Sequence, residues 1–321
     1  MGEIVREPSI NPPAPELPND DLMHRIAGTA DKTWFWKSGQ ISIDQFDLVL
    51  AHWERSLTDF PRALDFGCGC ARIELHLEDA AKRMEIYGVD IDAAAIAWAA
   101  EHVPWAKFSV NRGLPPLEFP DEHFDLVFNH SVFTHLDEQY QDAWLVELER
   151  VTKPGGLLIV SVSGEYPFSL LEKEWIGCQR DPEPLREILR NRGILFISDD
   201  GMQNSPFPDF YHTAFHAPWY IFERWGSVFD IKAYVPRGDL NYQDLLLLRR
   251  RDQRVGAVAP LRKFSSEEGA SREEISHLEM ALRRAEQEKQ TLKENFSAVL
   301  NSRSWRLTAP LRRFMQGIRG R

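Results

Sequence analysis

The chain has 321 residues, of which 43% are hydrophobic and 27% are charged; this is an ordinary globular composition that excludes wholesale disorder. The formal net charge of −11 argues against nucleic-acid binding, which requires a basic surface. Three cysteines are too few for a disulfide framework and are typical of a reducing compartment, so we expect a cytoplasmic protein.

The chain begins with two segments that precede the main pattern. Residues 1–19 carry five prolines, and we expect an extended, proline-rich arm there. Residues 20–60 are predicted to be helical. A short first helix follows Asp20 and ends at Gly28, and a second helix is expected from Ser42, as its cap, to Leu57, because apolar residues recur there at helical spacing.

From residue 61 to residue 251, short apolar runs alternate with helical patterns. Strand, helix and strand at this spacing predict βαβ units and a parallel sheet that is buried on both faces. Predicted helices cover 71–83, 93–102 and 137–150. The runs DIKAYVP and DLLLLRR lie too close together for a parallel crossover, so they predict an antiparallel hairpin. Residues 165–216 interrupt the rhythm and are interpreted as an insertion that could form a lid.

The most specific signal is the run Asp65-Phe66-Gly67-Cys68-Gly69-Cys70-Ala71, which follows the first predicted strand. Small residues let the backbone approach a ligand at the carboxyl end of a strand, where open α/β sheets bind their ligands. Arg72 stands where the dinucleotide fingerprint needs glycine, and no P-loop Gly-Lys-Ser/Thr follows. No second Cys or His pair with zinc spacing accompanies the cysteines, so we predict no metal site.

Asp90 ends the second predicted strand, about 20 residues after Gly69. A carboxylate at this place can accept hydrogen bonds from both hydroxyls of a ribose. Asp92 is instead expected to cap the helix that follows. A ribose-binding acid without a pyrophosphate loop indicates a nucleoside cofactor that lacks phosphates.

Four runs together resemble the class I S-adenosylmethionine-dependent methyltransferases: LDFGCGCAR, YGVDID, PPLEFPDEHFDLVFNHSVFTHL and ELERVTKPGGLLIVSVSG. The resemblance covers residues 62–250 and implies an α/β fold, a Rossmann-like, doubly wound, seven-stranded sheet with a C-terminal antiparallel hairpin. It also implies S-adenosyl-L-methionine as cofactor and methyl transfer as reaction. The chain departs from the family pattern at Ala71, where glycine is common, and at Asn111-Arg112, where an acid often meets the adenine.

The resemblance also assigns cofactor-binding roles to individual residues. The loop around the methionine end would consist of Asp65, Gly67, Cys68 and Gly69, and the acid that holds the ribose would be Asp90. The adenine would lie beside Ile91, Asn111 and Arg112. The amide that faces the sulfonium region would be Asn129.

Histidines near the predicted pocket are candidates for a general base. A hydroxyl is a poor nucleophile at neutral pH, and an imidazole with a pKa near ~6.5 can remove its proton. His130 and His135 lie in the run HSVFTHLDE, and two more histidines lie in YHTAFH, within the insertion. We predict that the base is one of His135, His212 and His216; the alternative for each is a structural hydrogen bond at a helix or turn end.

The methyl acceptor is indicated only by a finer resemblance. The SVFTHL run, the YH…FH insertion and the QDLLLLRR ending are similar to segments of methyltransferases associated with bacterial surface-polysaccharide assembly. This resemblance implies a hydroxyl of a glycan or glycan precursor. Two alternatives stay open, namely a small-metabolite acceptor and an inactive cofactor-binding scaffold that recruits glycan-assembly enzymes.

The C-terminal region has its own pattern. Residues 252–272 predict a polar linker, and residues 273–300 show an a/d apolar spacing that predicts a coiled coil and a homo-oligomer; the alternative is one helix folded back on the domain. Residues 301–321 form a basic tail with six arginines and no acid, similar to a segment at the ends of bacterial glycosyltransferases. This tail is expected to contact either the inner face of the membrane, peripherally, or a glycan enzyme.

Overall fold

The computed structural model describes residues 16–197 and 210–260. The predicted coiled coil (273–300), the basic tail (301–321) and most of the proline-rich arm lie outside these residues. None of the helices within the described ranges is long and apolar enough to cross a membrane.

A mixed seven-stranded sheet forms the centre of the fold. The strands of the described residues, including a separate pair, are β1 (Arg62–Phe66), β2 (Glu85–Asp90), β3 (Lys107–Val110), β4 (Phe124–Asn129), β5 (Thr152–Val162), β6 (Ile194–Ile197), β7 (Thr213–His216), β8 (Phe229–Asp239) and β9 (Gln243–Arg250). The central order is β3-β2-β1-β4-β5-β9-β8. The first five strands are parallel, and β9 runs antiparallel to both β5 and β8. The predicted doubly wound sheet with its C-terminal hairpin is confirmed.

Helices cover both faces of this sheet. They are α1 (Asp20–Ala27), α2 (Lys32–Leu50), α3 (Ala93–His102), α4 (Glu138–Val151), α5 (Glu165–Gly177), α6 (Glu183–Arg192) and α7 (Pro218–Arg224). One core contains Leu246 with side chains of α4 and α7, and the other contains Leu247 with side chains of α2. Because successive residues of β9 enter opposite cores, its sequence is a continuous apolar run rather than an alternating one.

The second helix begins earlier than predicted. Asp31 caps α2, because its Oδ1 accepts hydrogen bonds from the N–H groups of Thr33 at 2.8 Å and Trp34 at 3.1 Å. Ser42, expected to be the cap, lies fully buried in the middle of the helix. The helix ends at Leu50 rather than at the predicted Leu57. The apolar spacing identified the buried face correctly and mislocated the ends.

The helix predicted over 71–83 is replaced by two short 3-10 turns at Glu74–His76 and Ala80–Lys82. Ala71 has a φ of 59°, the left-handed conformation that glycine adopts without strain. Ile73, Leu77, Ala80 and Met84 enter one core at helical spacing, so this periodicity predicts a helix where the backbone forms only short turns.

Residues 165–216 have a small core of their own. Helices α5 and α6 pack with the antiparallel pair β6 and β7 around Phe168, Leu185, Leu195 and Phe215. The predicted linker begins with exposed residues whose backbone is hydrogen-bonded to the domain. The N–H groups of Val255 and Gly256 donate to the fully buried carboxylate of Glu149 at 2.6 and 2.8 Å.

Replacing Leu246 by alanine tests the central position of β9. Leu246 is fully buried between β5 and β8, and truncating such a leucine removes about 2–5 kcal/mol of unfolding free energy. Leu48→Ala is the matched control, because Leu48 is 69% exposed and should change stability by no more than about 0.5 kcal/mol. Urea unfolding followed by tryptophan fluorescence measures both; equal midpoints would contradict this account of the core.

Candidate active site

The loop after β1 turns through two glycines in the left-handed region. Gly67 has a φ of 88° and Gly69 a φ of 54°, a conformation that is costly for residues with a Cβ atom. The N–H of Gly67 donates to the carbonyl oxygen of Val89 in β2 at 2.8 Å. A Cβ atom on Gly67 would lie 2.2 Å from Cγ2 of Val132, so glycine is what lets the segment after β4 approach this loop.

Asp90 fixes the same loop from the end of β2. Its Oδ2 accepts a hydrogen bond from the N–H of Gly69 at 2.8 Å, and its Oδ1 accepts one from the N–H of Asp92 at 2.8 Å. Burial raises the pKa of Asp90, while these hydrogen bonds oppose that rise. Asp92 caps α3 as predicted, because its Oδ1 accepts from the N–H of Ala94 at 2.9 Å.

A cavity of about 860 Å³ opens at this edge of the sheet, near the upper end of the ~300–1,000 Å³ typical of ligand sites. Most of the predicted cofactor-binding residues line it, namely Asp65, Gly67, Cys68, Gly69, Asp90, Ile91, Asn111 and Arg112. Asn129 is not among the described residues of the lining. Its side chain is fully buried, and neither polar atom has a hydrogen-bond partner within the described ranges.

Helix α1 forms a wall of the cavity that was not predicted. Residues 24–28 line it, and a Cβ atom on Gly69 would lie 2.8 Å from Cδ1 of Ile26. Arg25 binds Asp92 through a 2.8 Å ion pair, which joins α1 to the start of α3. Arg25 and Asp92 are too far apart in sequence for their pairing to be recognised from a local pattern.

A second wall of the cavity is formed by the insertion, residues 165–216, which the sequence predicts as a possible lid. Phe210 lies against Gly113, where an added Cβ atom would be 2.5 Å from the phenyl ring. The Tyr211 ring stacks on His135 with centroids 4.1 Å apart. Burial, together with the charge of Asp90, raises the pKa of Tyr211. Aromatic side chains of the insertion therefore reach the end of the cavity that contains Asp90.

Two of the three predicted general bases do not line this cavity within the described residues. Burial lowers the pKa of His216 to about 3, and its Nε2 lies 3.0 Å from Oε1 of Gln141. The amide nitrogen of Gln141 donates to the carbonyl oxygens of Phe133 and Leu136, so this buried network is structural. His212 also lies outside the lining, and its backbone N–H donates to the carbonyl oxygen of His135 at 3.0 Å. The geometry of the described residues therefore does not favour either histidine as the base, and both assignments stay predictions.

His135 does line the cavity. Its Nδ1 lies 3.0 Å from the carbonyl oxygen of His212. A carbonyl oxygen can only accept, so Nδ1 carries the proton and Nε2 is the basic nitrogen of the neutral ring. The general-base role of His135 stays a prediction that the geometry permits.

A second histidine of the lining is paired with a buried carboxylate. Nδ1 of His130, just after β4, lies 2.5 Å from Oδ2 of Asp239 at the end of β8. Asp239 is fully buried, and its Oδ1 accepts a hydrogen bond from the Ser42 hydroxyl at 3.4 Å. The two atoms lie within ion-pair distance, although neither has a hydrogen-bond partner within the described residues. A proton on Nδ1, on the side of the carboxylate, would leave Nε2 as the base. Sequence inspection placed His130 near the pocket, but nothing local marked Asp239 as its partner.

The neighbouring lining residues form a polar network. The Gln243 amide donates to the Ser131 hydroxyl at 2.8 Å, and the Ser131 N–H donates to the Ser161 hydroxyl at 2.7 Å. These contacts connect the segment after β4 to β5 and to the start of β9. The hairpin therefore supplies both Asp239 and Gln243 to the same side of the cavity.

The two loop cysteines are inert thiols in this setting. Burial raises the pKa of Cys70 to about 12 and that of Cys68 well above its usual range. Within residues 16–197 and 210–260, no group of three or more His, Cys, Asp or Glu side chains could hold a metal ion.

The residues around the cavity fit a cationic nucleoside cofactor. Glycines form a cradle that Cβ atoms would fill, and Asp90 is placed for ribose hydroxyls. Asp65 adds a buried carboxylate whose Oδ1 has no hydrogen-bond partner among the described residues, and a cation beside it would offset the cost of its burial.

Comparisons with known proteins agree with this geometry. Residues 64–160 match the family described as "Methyltransferase domain". An uncharacterized methyltransferase of Schizosaccharomyces pombe is 37% identical over 106 residues, which cover 30% of this chain and 37% of that protein. A ubiquinone biosynthesis O-methyltransferase of a Bradyrhizobium species is 30% identical over 168 residues, which cover 46% of this chain and 64% of that protein. The chain therefore spans less than two thirds of the length of either relative.

Among solved structures, the N-methyltransferase NodS from Bradyrhizobium japonicum with S-adenosyl-L-homocysteine aligns with a TM-score of 0.44 at 14% identity, over 72% of this chain and 97% of that one. Residues 64–160 are therefore similar to a methyltransferase domain, and they belong to the seven-stranded sheet that the sequence predicts.

Proposed function

We propose that the protein transfers the methyl group of S-adenosyl-L-methionine to a hydroxyl of a glycan or glycan precursor. The observation that carries the proposal is one cavity lined by a glycine loop, by Asp90 and by a histidine that a buried carboxylate orients. The first two features suit a nucleoside cofactor, and the third suits an acceptor that must lose a proton.

The chain's own residues would hold the cofactor at the edge of the sheet. Asp90 accepts hydrogen bonds from the ribose hydroxyls, and Asp65 with the glycine loop binds the methionine end. Ile91, Asn111 and Arg112 line the part of the cavity assigned to the adenine. When bound, the cofactor supplies a methyl group that its sulfonium has already activated. The protein then has to align the acceptor, and alignment can supply ~7–11 kcal/mol of the barrier.

His130 is the base that the geometry favours. Its Nε2 accepts the proton of the acceptor hydroxyl as the methyl group is transferred, and Asp239 stabilises the imidazolium that forms. Desolvation makes an unpaired buried carboxylate costly, so the 2.5 Å contact also keeps Asp239 in place. His135 is the second candidate, because it lines the same cavity.

Three sequence segments that suggested a glycan acceptor meet at one side of the cavity. The SVFTHL run contributes Ser131 and His135 to the lining, and the YH…FH segment contributes its tyrosine, Tyr211. The QDLLLLRR ending contributes Gln243. This convergence supports a role of these segments in binding the acceptor. A small-metabolite acceptor is the second candidate, and the relative named as a ubiquinone biosynthesis O-methyltransferase favours it.

A labelled-methyl assay tests the function directly. The full chain is incubated with methyl-labelled S-adenosylmethionine and with either glycans and their precursors or small metabolites from the host cell. We expect label in the glycan fraction. Label in the metabolite fraction alone would contradict the glycan acceptor, and cofactor binding without transfer to either fraction would support the scaffold alternative.

Replacing Asp90 by asparagine should weaken cofactor binding. The variant loses charge-assisted hydrogen bonds to the ribose, which contribute about 1.5–3 kcal/mol. Calorimetry with S-adenosyl-L-homocysteine measures the change, and circular dichroism checks the fold. Asp44→Asn is the control, because Asp44 is exposed on α2. Wild-type affinity in the Asp90 variant would contradict the ribose assignment.

Replacing His130 by glutamine should lower turnover by about 10²–10⁴-fold, the usual contribution of a general base, without changing cofactor affinity. Asp239→Asn should lower kcat more than it changes KM. His52→Gln, at an exposed position, is the control. Added imidazole should restore part of the turnover of His130→Ala, a rescue that is not expected if His130 has only a structural role. Full turnover in His130→Gln would exclude His130 as the base.

A further inference from the structure

Three charged side chains are buried together beneath the glycine loop. Asp65 is the last residue but one of β1 and is 2% exposed. Glu74 is fully buried in the first 3-10 turn. Arg72 lies between them in sequence and is 5% exposed. The carboxyl groups of Asp65 and Glu74 are close enough to hydrogen-bond to each other if one of them is protonated. No N–H or O–H group of the described residues donates to either carboxyl oxygen of Glu74 or to Oδ1 of Asp65.

Two carboxylates can share a hydrogen bond only if one of them carries a proton, because ionised carboxylates accept and do not donate. Burial raises the pKa of Asp65 well above its usual range and raises that of Glu74 to about 7. The pair therefore holds a proton near neutral pH, and this proton belongs to the pair rather than to one residue.

Arg72 does not neutralise the pair completely. Its Nη1 donates to the Ser38 hydroxyl at 2.9 Å, and among the charges around it Asp239 stabilises it most, ahead of Asp65 and Glu74. The other titratable groups that act on the pair are Cys68 in the loop and Asp90 in β2. Acidic groups thus outnumber the one buried arginine.

Of the pair, only Asp65 is among the described residues that line the cavity. A ligand cation placed beside Asp65 would stabilise its ionised form and lower the pKa of the pair. The opposing effect of desolvation is small, because Asp65 is already buried before any ligand binds. Asp90 marks the ribose position, so the ammonium and sulfonium of the cofactor are the cations available for Asp65.

We propose that Asp65 and Glu74 share one proton in the free protein and release it when the amino-acid end of the cofactor binds. Glu74 is thereby a positioning residue that couples cofactor binding to proton release. The inference rests on the cofactor of the proposed function and not on its acceptor. Because a proton leaves on binding, cofactor affinity rises with pH until the pair is already ionised in the free protein.

Calorimetry in buffers of different ionisation enthalpy measures the proton exchange. The full chain is titrated at pH about 7 with S-adenosyl-L-homocysteine, and we expect release of up to about one proton per ligand. 5′-Methylthioadenosine has the same nucleoside without the amino-acid end, so it should bind with little release. Equal exchange for the two ligands, no exchange, or proton uptake with S-adenosyl-L-homocysteine would each overturn the inference.

The Glu74→Gln variant tests whether the released proton comes from Asp65 and Glu74. A neutral amide can donate to Asp65 without a shared proton, so release should vanish while S-adenosyl-L-homocysteine still binds. Glu78→Gln, exposed in the same segment, should release as the wild type does. The lining histidines, His24, His130 and His135, are unchanged in both variants, so release that persists in Glu74→Gln would overturn the inference. If that variant does not fold, the comparison of the two ligands on the wild-type chain decides. Absence of S-adenosyl-L-homocysteine binding to the wild type would instead overturn the proposed function.

Discussion

The hydrogen bond from the N–H of Gly69 to Oδ2 of Asp90, 2.8 Å long, is the contact on which the site depends. It holds the loop after β1 against the end of β2, so that one carboxylate is both a ligand group and a support for the loop. The loop in this position leaves space beside Gly67 for Val132. The segment that carries Val132 also carries His130, so the same loop that turns at Gly67 and Gly69 also locates the histidine side of the cavity.

Burial sets the chemistry of this region more than any single charge pair does. Asp65, Glu74 and Asp239 are all nearly inaccessible to solvent, and each buried carboxylate must be compensated by a proton or a cation. Asp65 and Glu74 are close enough to share a proton, while Asp239 lies against His130 and close to Arg72. In the proposed function, the cationic end of the cofactor would complete this compensation.

Local sequence was sufficient for the strands and for the cofactor loop, because glycines, an acid at a strand end and apolar periodicity act over a few residues. It was insufficient where partners are far apart in the chain. Asp239 and His130 meet only because β8 and β9 return to the sheet beside β5, and Ile26 meets Gly69 only because α1 folds over the loop. The contact of His216 could not be predicted for the same reason: its polar partner, Gln141 on α4, is remote in sequence.

The hydrogen bond from Ser42 to Asp239 bears on how this fold could be exchanged between proteins. Ser42 lies on α2, outside residues 64–160 that define the family match, and so do Asp239 and the wall formed by α1. A recombination event at the borders of the family match would transplant the cofactor loop and leave behind the partner of His130. The structural unit around the cavity is therefore wider than the recognisable domain, and chimaeras that keep this cavity would need to carry the N-terminal helices and the terminal hairpin together.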